Sequence, residues 1–205
     1  MMAVSPSDVP ATSRPAARQG ARERVLDAAY DLFAHRGVRD VGVNELIAAS
    51  GVAKATFYRH FPSKDDVVLA FLQRREEVWT IGLVAAGAAQ RASSPEGQLL
   101  AIFDVFAEWF QRDDFEGCAF VKVLLEVGPE HRLGKACIGC LDRIRAHLTS
   151  LAEEAGLEDT EGFSRSLMIL IKGCILSILE GDEMSAERAK RMTLRLIEDH
   201  RPPAG

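Results

Sequence analysis

From Ala21 to about His200 the apolar residues recur every three or four positions, and nowhere do they alternate cleanly over the length of a strand. This property constrains the chain more than any other, and it predicts an all-α fold of about nine helices. The first stripe is Val25, Ala28, Ala29, Leu32 and Phe33, stopped by Gly37, with His35 and Arg36 in the last turn where cations suit the helix dipole. Two short helices follow, about Val43 to Ser50 and about Lys54 to His60. Gly51 breaks the first, and Phe61-Pro62 ends the second, because a residue before proline is pushed out of the helical region. Ser63 has the chemistry of an N-cap for a long helix, with Lys64, Asp65 and Asp66 in its first turn. Ser94-Pro95-Glu96 opens a helix through about Phe110. A short helix from Gly117-Cys118 ends near Gly128-Pro129, and Pro129 to Glu154 form a longer one closed by Gly156. Thr160 to Glu180 and Ser185 to His200 supply the last two.

The 205 residues allow one larger domain, or a small module fused to a medium one. A hydrophobic share of 47% with 27% charged residues suits a soluble globular chain. No uncharged apolar run approaches the roughly 18–20 residues of a membrane span, since Leu167 to Leu179 is interrupted by Lys172 and Gly173. Met1 to Gly20 lacks the apolar core of a secretory signal, so the expectation is a cytoplasmic protein without a membrane partner, its four cysteines thiols. Residues 1–20 hold Pro6, Pro10 and Pro15 and no large aliphatic beyond Val4 and Val9, which predicts a flexible segment. With Arg14, Arg18, Arg22 and Arg24 it is either a basic arm on a polyanion or a solvated tail. The net charge of −5 is uneven: residues 1–62 carry 8 Lys and Arg against 6 Asp and Glu (+2), residues 63–205 carry 17 against 24 (−7). A basic head on an acidic body is compatible with a head that meets phosphate.

The informative stretch is Val43 to Lys64, VNELIAASGVAKATFYRHFPSK. Two short helices joined by Gly51-Val52-Ala53 fit helix-turn-helix geometry. A helix that reads a major groove about 12 Å wide needs an apolar underside and small or polar residues outward. Leu46, Val52 and Phe57 supply the underside, leaving Lys54, Ala55, Thr56, Tyr58, Arg59 and His60 for the outer face, while Phe57 and Phe61 belong to the core.

Residues 21–67 resemble the DNA-binding domain of TetR-type transcriptional regulators. The resemblance is carried by the Ala28-Ala29…Leu32-Phe33…Gly37 helix, the Gly51-Val52 turn, and above all the run from Thr56 to Lys64. Phe115 to Phe120, FEGCAF, resembles a Gly-Cys turn in one subset of that family. The resemblance implies a three-helix head over 21–66, a ligand-binding and dimerisation body over 67–200, and a tail over 201–205. It implies that Tyr58 and His60 meet backbone phosphate and that Lys64 adds a charged phosphate contact. Lys54 and Thr56 are placed for base edges, Ala55 permits close approach, and Arg59 serves phosphate or solvent. Val43 and Asn44, opening the first short helix, complete the candidate DNA contacts. Gly42 and Ala53 depart from the family, which usually caps both short helices with a hydroxyl residue.

A reader this small needs a two-fold mate on a near-palindromic operator. The expected homodimer surface is Leu167, Leu170, Ile171, Cys174, Ile175, Ile178, Leu194 and Ile197, because the penultimate helix carries more apolar surface than one stripe. The resemblance further implies a cavity for a small-molecule inducer; candidate lining residues are Phe71, Trp79, Phe103, Phe106, Trp109, Phe110, Phe120 and Met168. Glu108, Lys122, Glu126 or His131 are possible polar anchors. Cys137 and Cys140, at Cys-x-x-Cys spacing inside a helix, read as buried thiols, with a thiol-based redox-responsive regulator as the alternative. No metal or other cofactor is expected. No G-x-G-x-x-G, G-x-S-x-G, P-loop or H-E-x-x-H is present, so the leading expectation is a repressor released by a ligand, not an enzyme.

Overall fold

The computed structural model describes residues 20–113 and 115–203. The basic arm expected over 1–20 therefore lies outside the described residues except for Gly20, as do the last two residues of the tail. Among the described residues every regular element is helical. These are α1 (Ala21–Arg36), α2 (Val43–Ser50), α3 (Lys54–His60) and α4 (Lys64–Arg75), which runs on through a π-helical stretch, Glu76–Ala85, into α5 (Ala86–Arg91). There follow α6 (Pro95–Phe110), α7 (Ala119–Val127), α8 (Arg132–Glu154), α9 (Thr160–Leu179) and α10 (Ser185–Asp199). With α4, the π-helical stretch and α5 taken as one rod, the described residues form nine helices.

The chain divides into two units after Phe71, five residues beyond the boundary expected from sequence. Phe71 belongs to the first unit because its ring packs edge-on against Tyr30 and Phe33 of α1, at 5.8 and 5.7 Å between centroids. Val25, Ala29, Phe33, Leu46, Phe57, Val67 and Val68 fill the core there. Gly37 and Gly51 end α1 and α2 at φ of 82° and 61°, a region a side chain with Cβ adopts only under strain. Ser63 and Asp66 open α4 as a reciprocal box: the Asp66 N–H donates to Ser63 Oγ at 3.3 Å and the Ser63 N–H donates to Asp66 Oδ2 at 3.1 Å.

In the second unit the core is built from α6, α8, α9 and α10, with Phe103, Phe163, Leu167, Leu148 and Ile197 at its centre. Ser94 caps α6 by accepting the Gly97 N–H at 3.1 Å. Asp159, at φ 43°, caps α9 through the Gly162 N–H at 3.1 Å; a Cβ at Gly162 would stand 2.1 Å from Asp159 Oδ2, so the cap requires glycine there. α8 starts at Arg132, later than the Pro129 expected, because His131 caps it by accepting the Leu133 N–H at 3.2 Å. One expectation needs correction: α9, with a mean hydropathy of 1.6, does have the length and composition of a membrane span. Its apolar content goes into the core of this unit, where Phe163, Leu167, Met168, Ile171, Cys174 and Ile175 are buried.

Candidate nucleic-acid interface and ligand cavity

In the first unit Leu46, Val52 and Phe57 are buried together and fix the underside of α3. With that face committed, Lys54, Ala55, Tyr58, Arg59 and His60 are exposed, while Thr56 is half-buried. Tyr58 stands edge-on to Phe57 at 5.4 Å and is 43% exposed, so its ring is braced by the core while much of it stays accessible. On α2, Asn44 is exposed and Val43 half-buried. α3 carries no carboxylate, so the only fixed charges on its outer face are the cations Lys54 and Arg59, which suits a polyanion.

Lys64 is placed differently from the free phosphate ligand expected. Its Nζ donates to the carbonyls of Val38 at 2.9 Å and Val41 at 3.2 Å, tying the α1–α2 loop to the start of α4. One ammonium proton remains for a further acceptor. Gly42 and Ala53 give α2 and α3 no side-chain cap, consistent with the departures seen in sequence. Ala53→Ser is therefore expected to stabilise the head by about 0.5–2 kcal/mol, read as a higher thermal midpoint. An unchanged midpoint would show that the first turn of α3 is already held by other means.

The second unit encloses a cavity of about 700 Å³. Trp79, Phe106, Trp109, Phe120 and Met168 line it as expected, but Phe71, Phe103 and Phe110 do not. Phe71 is committed to the first unit, Phe103 turns into the core edge-on to Phe106, and Phe110 packs against Phe106 and Phe115. Nor do Glu108, Lys122, Glu126 or His131 reach the wall. The sequence reading missed Leu141, Ile144 and Leu148 of α8, whose three- and four-residue spacing was a usable signal, and Arg75, which looked like an ordinary surface charge. The π-helical stretch forms part of the wall with Trp79, Thr80, Ile81 and Val84, in keeping with the frequent use of such segments at functional sites.

Glu76 accepts from Arg143 Nε at 2.7 Å and Nη2 at 2.6 Å, and from the Cys140 thiol at 3.5 Å. The Arg143 hydrogen bonds hold its carboxyl below the usual carboxylate range against the opposing effect of burial. That contribution to stability is present above the ordinary carboxylate range and is lost as pH falls through the lowered value. Burial pushes Cys137 and Cys174 up to about 12 and Cys140 to about 11, and raises Cys118 as well. The thiolate that redox sensing needs is thus disfavoured, and the redox alternative has no support. Among the described residues no cluster of three or more His, Cys, Asp or Glu is placed to hold a metal. Native protein treated with iodoacetamide at mildly alkaline pH should stay unmodified at Cys137, Cys140 and Cys174 by mass spectrometry. Rapid labelling without denaturant would contradict the burial described.

The expected dimer residues also need correction. Leu167, Ile171, Cys174, Ile175 and Ile197 are buried in this unit's own core, and Leu170 and Ile178 pack half-buried against it. Only Leu194 is exposed, at 40%. Positions 167, 171, 174, 175 and 178 form one helical stripe, and a stripe covers one face. The outward apolar row of α9 is instead Ile169, Leu176 and Leu179, at 69%, 58% and 56% exposed.

A short helix held by its apolar underside, turned on a left-handed glycine from the helix before it, defines a helix-turn-helix protein. Residues 25–71 match the model of the bacterial regulatory proteins of the tetR family. The chain belongs to the TetR family, a family of transcriptional regulators and not of enzymes. A solved TetR-family transcriptional regulator from Streptomyces coelicolor superposes with a TM-score of 0.80 at 26% identity, covering 89% of this chain and 96% of that one. A transcriptional repressor from Rhodococcus jostii is 39% identical over 51 residues, 25% of each chain. A transcriptional activator from Mycolicibacterium smegmatis is 30% identical over 96 residues, 47% of this chain and 43% of that one. The chain spans between about a quarter and less than a half of the length of such curated relatives.

Proposed function

We propose that the protein is a cytoplasmic, homodimeric transcriptional repressor that lays α3 of each head into the major groove of a near-palindromic operator and leaves it when a small organic ligand fills the cavity. The observation that carries this reading is the acid-free outer face of α3, with Lys54, Tyr58, Arg59 and His60 exposed over a buried Phe57. Tyr58, His60 and Arg59 serve as phosphate contacts, and Lys54 and Thr56 read base edges. Two heads address half-sites about 34–36 Å apart or a multiple of that spacing. The outward row of α9, with Leu194 of α10, is the surface offered to the second copy. Repression follows from simple occupancy, since the described residues divide between a DNA-contacting head and a body that holds ligand and partner. Release requires a ligand that prefers the DNA-incompetent state, because equal affinity for both states shifts nothing. The rod from Lys64 to Arg91, with Arg75 and Trp79 in the cavity wall, is the chain-continuous route for that shift.

Gel shifts against the DNA flanking the protein's own gene, over a range of salt, test this reading. Affinity should fall with a log–log slope of about 0.9 per phosphate contact. Tyr58→Phe should weaken all sequences alike, whereas Lys54→Ala and Thr56→Ala should change which bases are preferred. Salt-insensitive binding, or uniform effects from all three, would sink the assignment of roles.

A further inference from the structure

We infer that the cavity takes an aromatic organic anion, its ring among the indoles of Trp79 and Trp109 and its negative group toward Arg75 and the Trp109 indole N–H. This rests on reading the cavity as the effector site and adds the chemical class of the effector. The polar groups of the wall fall into two sets. Gln73, Glu77, Arg143, His147 and Lys172 are exposed and form the rim. Glu76 is half-buried, but Arg143 already answers its charge with two hydrogen bonds.

Among the buried lining residues, Arg75 is the single charged one, 4% exposed. Its guanidinium carbon lies 4.3 Å from the Trp79 ring centroid and 5.5 Å from that of Trp109. Arg112 covers Trp79 as well, at 5.4 Å. Trp109 Nε1 is buried with no hydrogen-bond partner, and an indole nitrogen only donates. A fixed cation beside an unanswered donor, with no buried carboxylate opposite, is complementary to an acceptor that bears negative charge. The same cation repels a cationic ligand. Elsewhere the interior is Phe106, Phe120, Met168 and branched aliphatics, so a small inorganic anion would gain too little to leave water. The two indoles, 5.4 Å apart between centroids, offer flat faces to a ring, and about 700 Å³ suits a drug-sized molecule.

Anilinonaphthalene sulfonate and phenylnaphthylamine share one fused-ring skeleton and differ by the sulfonate. Titrated by their own fluorescence into the full chain without DNA, the anion should bind at least about tenfold more tightly, as a charge-assisted contact in a dry site provides. Arg75→Met should remove that preference while leaving the neutral probe within about twofold, and Trp109→Phe, which keeps a ring and deletes the donor, should weaken the anion about threefold or more. Equal affinity for the two probes overturns the inference, as does an anion preference that survives both substitutions. If Arg75→Met fails to fold by circular dichroism, Trp109→Phe alone decides. A gel shift on the same sample separates the two readings: a protein that shifts operator DNA yet shows no anion preference sinks only the ligand class.

Discussion

Ile169→Glu combined with Leu176→Glu is expected to halve the particle mass in sedimentation and to lower operator affinity by about 10²–10⁴-fold. Both side chains stand outward on α9, at 69% and 58% exposed, so the charges replace apolar surface without entering the core. Fold should survive for that reason, and far-UV circular dichroism of the variant should match the parent. The loss of affinity comes from geometry: joined heads engage two half-sites with one association, while separated heads must each bind alone. A variant that remains dimeric would place the contact between copies elsewhere and would withdraw the outward row of α9 from the proposal.

Phe57→Ala should have the second large effect. Phe57 is fully buried, meets Tyr58 and Phe61 at 5.4 and 6.1 Å between ring centroids, and holds a seven-residue helix that has no side-chain cap. Deleting a buried phenyl ring costs about 3–5 kcal/mol, a large part of the stability a small unit has. Operator binding should disappear in a gel shift, while the second unit keeps its helices and its affinity for the cavity probes. Operator binding within about threefold of the parent, a change worth well under 1 kcal/mol, would show that α3 is not the reading helix.

The helices were legible because their punctuation is local. Gly37, Gly51, Phe61-Pro62, Ser94-Pro95 and Gly128 act through φ, a missing N–H or a cap, and each is decided by its immediate neighbours. The outer face of α3 was legible for a related reason: once Phe57 is inward, the 3.6-residue period assigns the rest. What the sequence withheld depends on distant partners. A lysine at the start of α4 suggests an anion, and only the fold brings the Val38 and Val41 carbonyls to its amine. The excess of apolar surface on α9 correctly implied a second covered face, but composition does not tell which stripe meets the core. Arg75 was passed over because a charge within a mixed segment normally stays solvated, and its burial against two indoles is a tertiary fact. The π-helical stretch was invisible because a register wider by one residue cannot be told from 3.6 over ten positions.

That stretch has a consequence for how the wall around the cavity adapts. A helix cannot absorb a fraction of a residue. Expelling the surplus one would swing every side chain on one flank by about 100° around the axis. Trp79 and Ile81 would then trade places with their neighbours in a single jump. Effectors of gradually increasing bulk should accordingly produce a staircase of responses, with thresholds between classes of molecule where a pliable wall would give a smooth ramp.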